Sequence, residues 1–146
     1  MVGPDATQRT TMSTDYLLAL ASDAGEAGAF IWDIPRFYEA FHRAGGVPSI
    51  FVHDSSAAAY LLAPELFTTR TGSIRIITED LAFGQTIQKP DGVSLPPGAW
   101  DSRPSHAVCV EVDSDGLLAL DRKTLLGRRA AGYLSWAPHA ASIPAP

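Results

Sequence analysis

The apolar residues of this chain recur at helical spacing through most of its first half and alternate with polar residues in much of its second. Residues 1–12 are polar and read as a loop or a short edge strand. Ser13-Thr14-Asp15 then offers a small oxygen-bearing side chain to accept a free backbone N–H, a helix start. Tyr16, Leu17, Leu20 and Ala21 follow at helical intervals. Gly25 and Gly28 weaken the middle of this region. From Ala29 to Ala44, Ile31, Ile34, Phe37, Tyr38 and Phe41 mark a second helical face, with Pro35 either starting a new helix or kinking a longer one. Gly45-Gly46 and Pro48 supply the stop. Ser49 to Val52 is a short β-type run. A small-residue helix over Ala57 to Leu62 is expected next, capped by Asp54 or Ser55, with Pro64 closing it or opening one last turn.

From residue 72 the period changes. Ile74, Ile76 and Thr78 alternate with Ser73, Arg75 and Ile77, which predicts a strand. Leu81 to Ile87 is its expected hairpin partner, with Glu79-Asp80 near the turn. Residues 89–104 carry Pro90, Gly92, Pro96, Pro97, Gly98 and Pro104 and predict a long loop. His106 to Val112 is the clearest strand. Leu117 to Leu126 reads as a short helix or as a strand plus turn, and an Ala/Pro-rich tail over residues 128–146 is expected to be poorly ordered. No internal repeat and no linker interrupts the chain, so residues 1–127 read as one domain followed by that tail.

Composition narrows the function classes. A hydrophobic share of 46% against 18% charged residues is globular and not disordered. A net charge of −5 argues against a nucleic-acid surface as the main partner. The single cysteine, Cys109, excludes a disulfide framework within the chain and a Cys-based zinc cluster, and in its alternating strand it reads as a buried thiol. No apolar run reaches the ~20 residues that span a bilayer, so no membrane partner is expected. Met1 to Met12 lacks the apolar stretch of a secretory signal, which makes the cytoplasm the default location.

Candidate chemistry is sparse. Read alone, His53 is a loop histidine and Asp54 a helix cap. Counting from Glu111, Asp113 and Asp115 with Gly116 mimic a calcium loop, but position twelve is Arg122 where a bidentate Glu is required, so a turn is the better reading. His42, His106 and His139 show no metal-ligand spacing, and His42 beside Arg43 is expected to face solvent. Trp32, Phe37, Tyr38 and Phe41 read as a core face, with base stacking or an exposed association surface as alternatives.

Taken together, four stretches resemble one family. His53-Asp54 lies between the run Ser49–Val52 and a small-residue helix ending in Pro64-Glu65-Leu66-Phe67. Gly84-Gln85-Thr86 resembles a Gly-x-Thr hairpin, and His106 to Asp113 a late strand before a terminal helix. Val2-Gly3-Pro4-Asp5-Ala6-Thr7 resembles a Val-Gly-Leu-Asp-Val-Thr strand. Their order and spacing are similar to those of the inosine-uridine preferring nucleoside hydrolases, over roughly residues 2–126. Two departures stand out: Ser55 replaces the usual Pro after His-Asp, and Pro4 replaces Leu, which removes a ladder donor from that strand.

The resemblance implies the C-terminal portion of a Rossmann-like open-sheet α/β fold, with a β-hairpin and flanking helices, from a family of dimers and tetramers. It implies hydrolysis of the N-glycosidic bond of a ribonucleoside to ribose and free base through an oxocarbenium-like transition state. In that scheme His53 matches the acid that protonates the departing base. Asp54 matches one ligand of a bound Ca²⁺, which takes several oxygen ligands. The family's Asp-rich N-terminal cluster has no counterpart in this sequence. A second expectation therefore stands beside the enzyme: a non-catalytic remnant or assembly component that re-pairs its sheet edge and apolar surface by oligomerising.

Overall fold

The computed structural model describes residues 1–130, with side chains as far as Gly127. The order is α1 (Pro4–Thr7), β1 (Thr11–Ser13), α2 (Thr14–Asp23), α3 (Gly25–Asp33), α4 (Arg36–Ala44), β2 (Ser49–Phe51), α5 (His53–Leu62), a 3₁₀ turn (Pro64–Leu66), β3 (Phe67–Ile76), β4 (Thr86–Pro90), β5 (Ser105–Val112) and α6 (Ser114–Ala130). The α/β class and the hairpin with flanking helices agree with the sequence reading. The helix α6 settles the choice left open at Leu117 to Leu126, and it runs three residues past Gly127. The remainder of the expected tail, residues 131–146, lies outside the described residues.

The strands form two antiparallel sheets. β1 pairs with β2, Met12 facing Ile50. β3 lies between β4 and β5, with Ile74 opposite Gln88 and Arg70 opposite Val108. The hairpin is therefore longer than its alternating core suggests. β3 begins at Phe67, and β4 takes in Lys89 and Pro90, which the sequence assigns to a loop. Pro90 is tolerated because β4 is an edge strand, where a missing N–H costs least.

Val2 to Thr7 departs most from the family pattern. Val2 makes a single parallel bridge to Cys109, and the chain then turns into α1 with Pro4 in its first turn. Proline lacks the donor a strand needs, and its fixed φ suits the start of a helix. Residue 1 is nevertheless held against β5: the Met1 ammonium donates to the Ala107 carbonyl at 2.6 Å, and the Cys109 N–H to the Met1 carbonyl at 2.9 Å.

The helical region behaves as its punctuation requires. The Ser13 hydroxyl accepts from the Tyr16 N–H at 3.1 Å and starts α2. Gly25, at φ +60, separates α2 from α3. The two helices then approach so closely that a Cβ on Gly28 would lie 2.0 Å from the Leu20 carbonyl oxygen. Ala6, Met12, Leu17, Ile50, Val52, Ala59, Phe67, Cys109 and Leu117 form one core cluster, so Cys109 is the buried thiol expected of it.

α4 faces the opposite way from the sequence expectation. Its one buried residue is Glu39, while Phe37 is 86% exposed and Phe41 68%. The reason is electrostatic. Glu39 accepts from the Thr14 hydroxyl at the start of α2, from Arg36 at 2.8 Å and from Arg43 at 2.9 Å. A buried carboxylate with three donors is satisfied, and holding them fixes the rotation of the helix. The aromatic side is left outside.

The hydrogen bond from Thr14, with Arg36 and Arg43, holds the Glu39 carboxyl below its ordinary value of 4.5 despite its burial. A depressed folded-state value contributes stability that is present above the unfolded value and lost as pH falls through the folded one. Glu39→Gln is expected to cost about 1–3 kcal/mol near neutral pH, and the melting-temperature gap to wild type should close as the pH is lowered below 4.5.

Candidate functional site

β2 is only three residues long, and the chain passes from it through Val52 directly into α5. This strand-to-helix turn places His53 and Asp54 in the first turn of α5. The helix therefore begins four residues earlier than expected, and neither Asp54 nor Ser55 is its cap. The N-cap is Val52, which offers no side-chain hydrogen bond. Asp54 instead sits where a negative charge complements the helix dipole. The buried Ser56 hydroxyl donates back to the Val52 carbonyl.

His53 and Asp54 lie at the edge of a cleft of about 660 Å³. Met12, Leu17, Ile31, Ile34, Ile50 and Leu125 supply apolar wall, and Tyr38 and Phe51 add aromatic rings. The polar groups are His53, Asp54, Ser55, Asp121 and Thr124. A mostly apolar cleft with a few polar groups gathered along it is the ordinary form of a small-molecule site. Asp54 is exposed, His53 half-buried.

His53 is held on two sides. Thr7, which is 3% exposed, places its hydroxyl oxygen 2.7 Å from Nδ1. Phe51 packs against the imidazole with ring centroids 5.8 Å apart. The aromatic contacts continue from Phe51 to His42 at 5.1 Å and from His42 to Tyr38 at 4.1 Å. His42 is thus packed between rings with a buried Nδ1 and does not face solvent as the sequence suggests.

The sequence reading singles out neither Thr7, which holds His53, nor Asp121 and Thr124 of the cleft. Thr7 has no local signal, because its partner lies 46 residues away. Asp121 had one: it occupies the row Leu117, Asp121, Leu125 at i, i+4 and i+8, and an acid in an otherwise apolar helical row calls for a reason. Here α6 carries Asp121 into the cleft beside Ser55, with Oδ2 buried and without a hydrogen-bond partner among the described residues. Burial pushes its carboxyl above the ordinary value, and the Ser55 hydroxyl offsets part of that. Neighbouring Tyr16 donates to the Leu118 carbonyl at 2.7 Å and is pushed up to about 12, first by burial and then by the Asp121 charge. Arg122 does not simply point into water: it pairs with Asp23. Asp113 closes the turn at the start of α6, accepting from the Gly116 N–H at 3.0 Å.

No group of three or more His, Cys, Asp or Glu among the described residues could hold a metal ion. Calcium takes six to eight oxygen ligands, so Asp54 and its neighbours do not form a calcium site by themselves. Among the described residues no helix is long and apolar enough to cross a membrane.

A raised folded-state carboxyl makes stability fall as pH rises above the unfolded value of 3.8. Asp121→Asn should therefore raise the melting temperature at neutral pH, and the gain should vanish in acid. A loss of stability at neutral pH would mean that the ionised carboxylate is needed by the fold.

A family model described as inosine-uridine preferring nucleoside hydrolase matches residues 1–119. The chain is 28% identical over 129 residues to uridine nucleosidase 1 of Arabidopsis thaliana, covering 86% of this chain and 38% of that protein. It is 31% identical over 87 residues to probable uridine nucleosidase 2 of Oryza sativa subsp. japonica, covering 59% of this chain and 26% of that one. Among solved structures, a plant nucleoside hydrolase superposes with a TM-score of 0.77 at 24% identity, over 84% of this chain and 39% of its own. A purine-preferring ribonucleoside hydrolase from Gardnerella vaginalis superposes with a TM-score of 0.68 at 26% identity, over 87% and 39%. The chain thus spans about two fifths of the length of the Arabidopsis protein and of the two solved structures.

Proposed function

The chain belongs to the inosine-uridine preferring nucleoside hydrolase family, and on that premise we propose that its cleft is the leaving-group side of a ribonucleoside hydrolase site. The observation that supports this best is the placement of His53. It stands where strand turns to helix and lines a mostly apolar cleft, with one ring nitrogen engaged by a buried Thr7 and the other without a hydrogen-bond partner among the described residues. The apolar and aromatic wall suits the faces of a nucleobase, and the polar groups suit its edge or the sugar hydroxyls.

In the reaction, the C–N glycosidic bond breaks and its electron pair leaves with the base. His53 donates a proton to that base, so that it departs neutral. Water adds to the anomeric carbon and releases a proton, which balances ribonucleoside and water against ribose and base. Asp54 would serve as one oxygen ligand of a calcium ion whose other ligands come from outside this cleft, and the metal, when bound, would position and polarise the water. The plant relatives named uridine nucleosidases favour uridine as the first substrate to test. A cytoplasmic location belongs to the same reading.

The purified chain should release reducing sugar from uridine or inosine in the presence of calcium, and His53→Ala should lower that rate by about 10²–10⁴-fold. Calorimetry with calcium, repeated on Asp54→Asn, tests the metal role. Absence of both turnover and calcium binding would rule out a self-sufficient enzyme.

A second reading rests on the outward face of α3 and α4. Phe30, Ile34, Phe37 and Phe41 recur at i, i+4, i+7 and i+11 and are all more than half exposed. A stripe of this kind marks an association surface, and it favours an assembly component that forms homo-oligomers. Light scattering should then show a species larger than a monomer, reduced to monomer by Phe37→Ser with Phe41→Ser. A wild-type chain that stays monomeric at high concentration would exclude self-association.

A further inference from the structure

The contact between Thr7 and His53 fixes more than the position of a ring. A neutral imidazole carries one N–H, and the nitrogen bearing it is set by what the other nitrogen is bonded to. Thr7 Oγ1 lies 2.7 Å from His53 Nδ1, and no other hydrogen bond of that hydroxyl occurs among the described residues. Its proton therefore has one acceptor within reach. Thr7 is 3% exposed, so water competes poorly for that proton. An undonated hydroxyl buried in this way would also forfeit its hydrogen bond. Both considerations favour the arrangement in which the hydroxyl donates and Nδ1 accepts.

We infer that Thr7 is a positioning residue that holds neutral His53 as the Nε2–H tautomer, loading the proton on the nitrogen that has no hydrogen-bond partner among the described residues and that can meet a ligand in the cleft. The consequence for catalysis rests on the hydrolase reading: in this tautomer the neutral imidazole points a hydrogen-bond donor at the base from Nε2, the same atom from which the imidazolium form delivers its proton when the bond breaks. The opposite tautomer would present a lone pair there and repel the electron pair arriving on the base.

The geometry behind the pairing is local to α1. Pro4 opens a single helical turn, and the Thr7 N–H closes it onto the Gly3 carbonyl at 3.0 Å. That turn carries the Thr7 side chain towards α5, where a continued strand would alternate its side chains between two faces. The departure from the family's strand pattern at Pro4 thus coincides with the contact to His53.

The test is nitrogen NMR of the imidazole in the ligand-free chain, in the pH range where the His53 ring spectrum no longer changes. Wild type should show a protonated Nε2 and an unprotonated, hydrogen-bonded Nδ1. Thr7→Ser should keep that signature, and Thr7→Val should shift His53 to a mixture of tautomers. If turnover is present, Thr7→Val should lower kcat about tenfold or more at little change in KM, with rescue by Thr7→Ser. A protonated Nδ1 in wild type overturns the inference, and so does a Thr7→Val spectrum identical to wild type. The wild-type and Thr7→Ser spectra decide the matter even if Thr7→Val does not fold. Because the spectrum needs no substrate, a chain without turnover counts against the hydrolase reading alone.

Discussion

A carboxylate buried among three donors constrains the orientation of α4, and much else follows from that orientation. Glu39 gathers the Thr14 hydroxyl and the guanidinium groups of Arg36 and Arg43. Breaking such a cluster by rotating the helix would strand a charge in the interior, which costs more than exposing aromatic rings to water. With Glu39 turned inward, Tyr38 and His42 meet Phe51, and Phe51 meets His53. The position of the candidate acid is thereby linked, ring by ring, to a charge cluster outside the cleft. The same rotation leaves Phe37 and Phe41 exposed, so the cleft wall and the association stripe have one cause.

Local features of the fold were legible in the sequence because short-range rules govern them. Ser13 starts α2, Pro35 separates α3 from α4, and the alternation around Ile74 and from His106 to Val112 marks strands that do form. Where the reading failed, the deciding interaction was long-range. Helical spacing identified the stripe through Phe37 and Phe41 but could not say which side of the helix would be buried, since Glu39 meets a partner 25 residues away. His42 was misjudged for the same reason, through its contact with Phe51. The start of α5 at His53 was missed because Val52 carries no capping side chain.

The candidate site was partly legible. His53 and Asp54 were found through the flanking blocks that resemble the nucleoside hydrolases, and the chain's place in that family now rests on the match over residues 1–119. Thr7 lay within one of those blocks, but its role depends on a turn that Pro4 introduces. Asp121 was visible in principle as an acid in an apolar row. Its meaning came only from the way α6 leans over α5 and brings it beside Ser55.

Three polar contacts tie the beginning of the chain to its far end: Met1 to Ala107, Thr10 to Ser114, and Tyr16 to Leu118, with separations of 106, 104 and 102 residues. Pairings of such span are made late, because the loop they close must first be ordered. During synthesis the opening residues must therefore wait, unpaired, until β5 and α6 have left the ribosome. Through that interval the Thr7 turn has no β5 to rest against. A chain halted before Ser114 would hold His53 without the side of the cleft that Asp121, Thr124 and Leu125 supply.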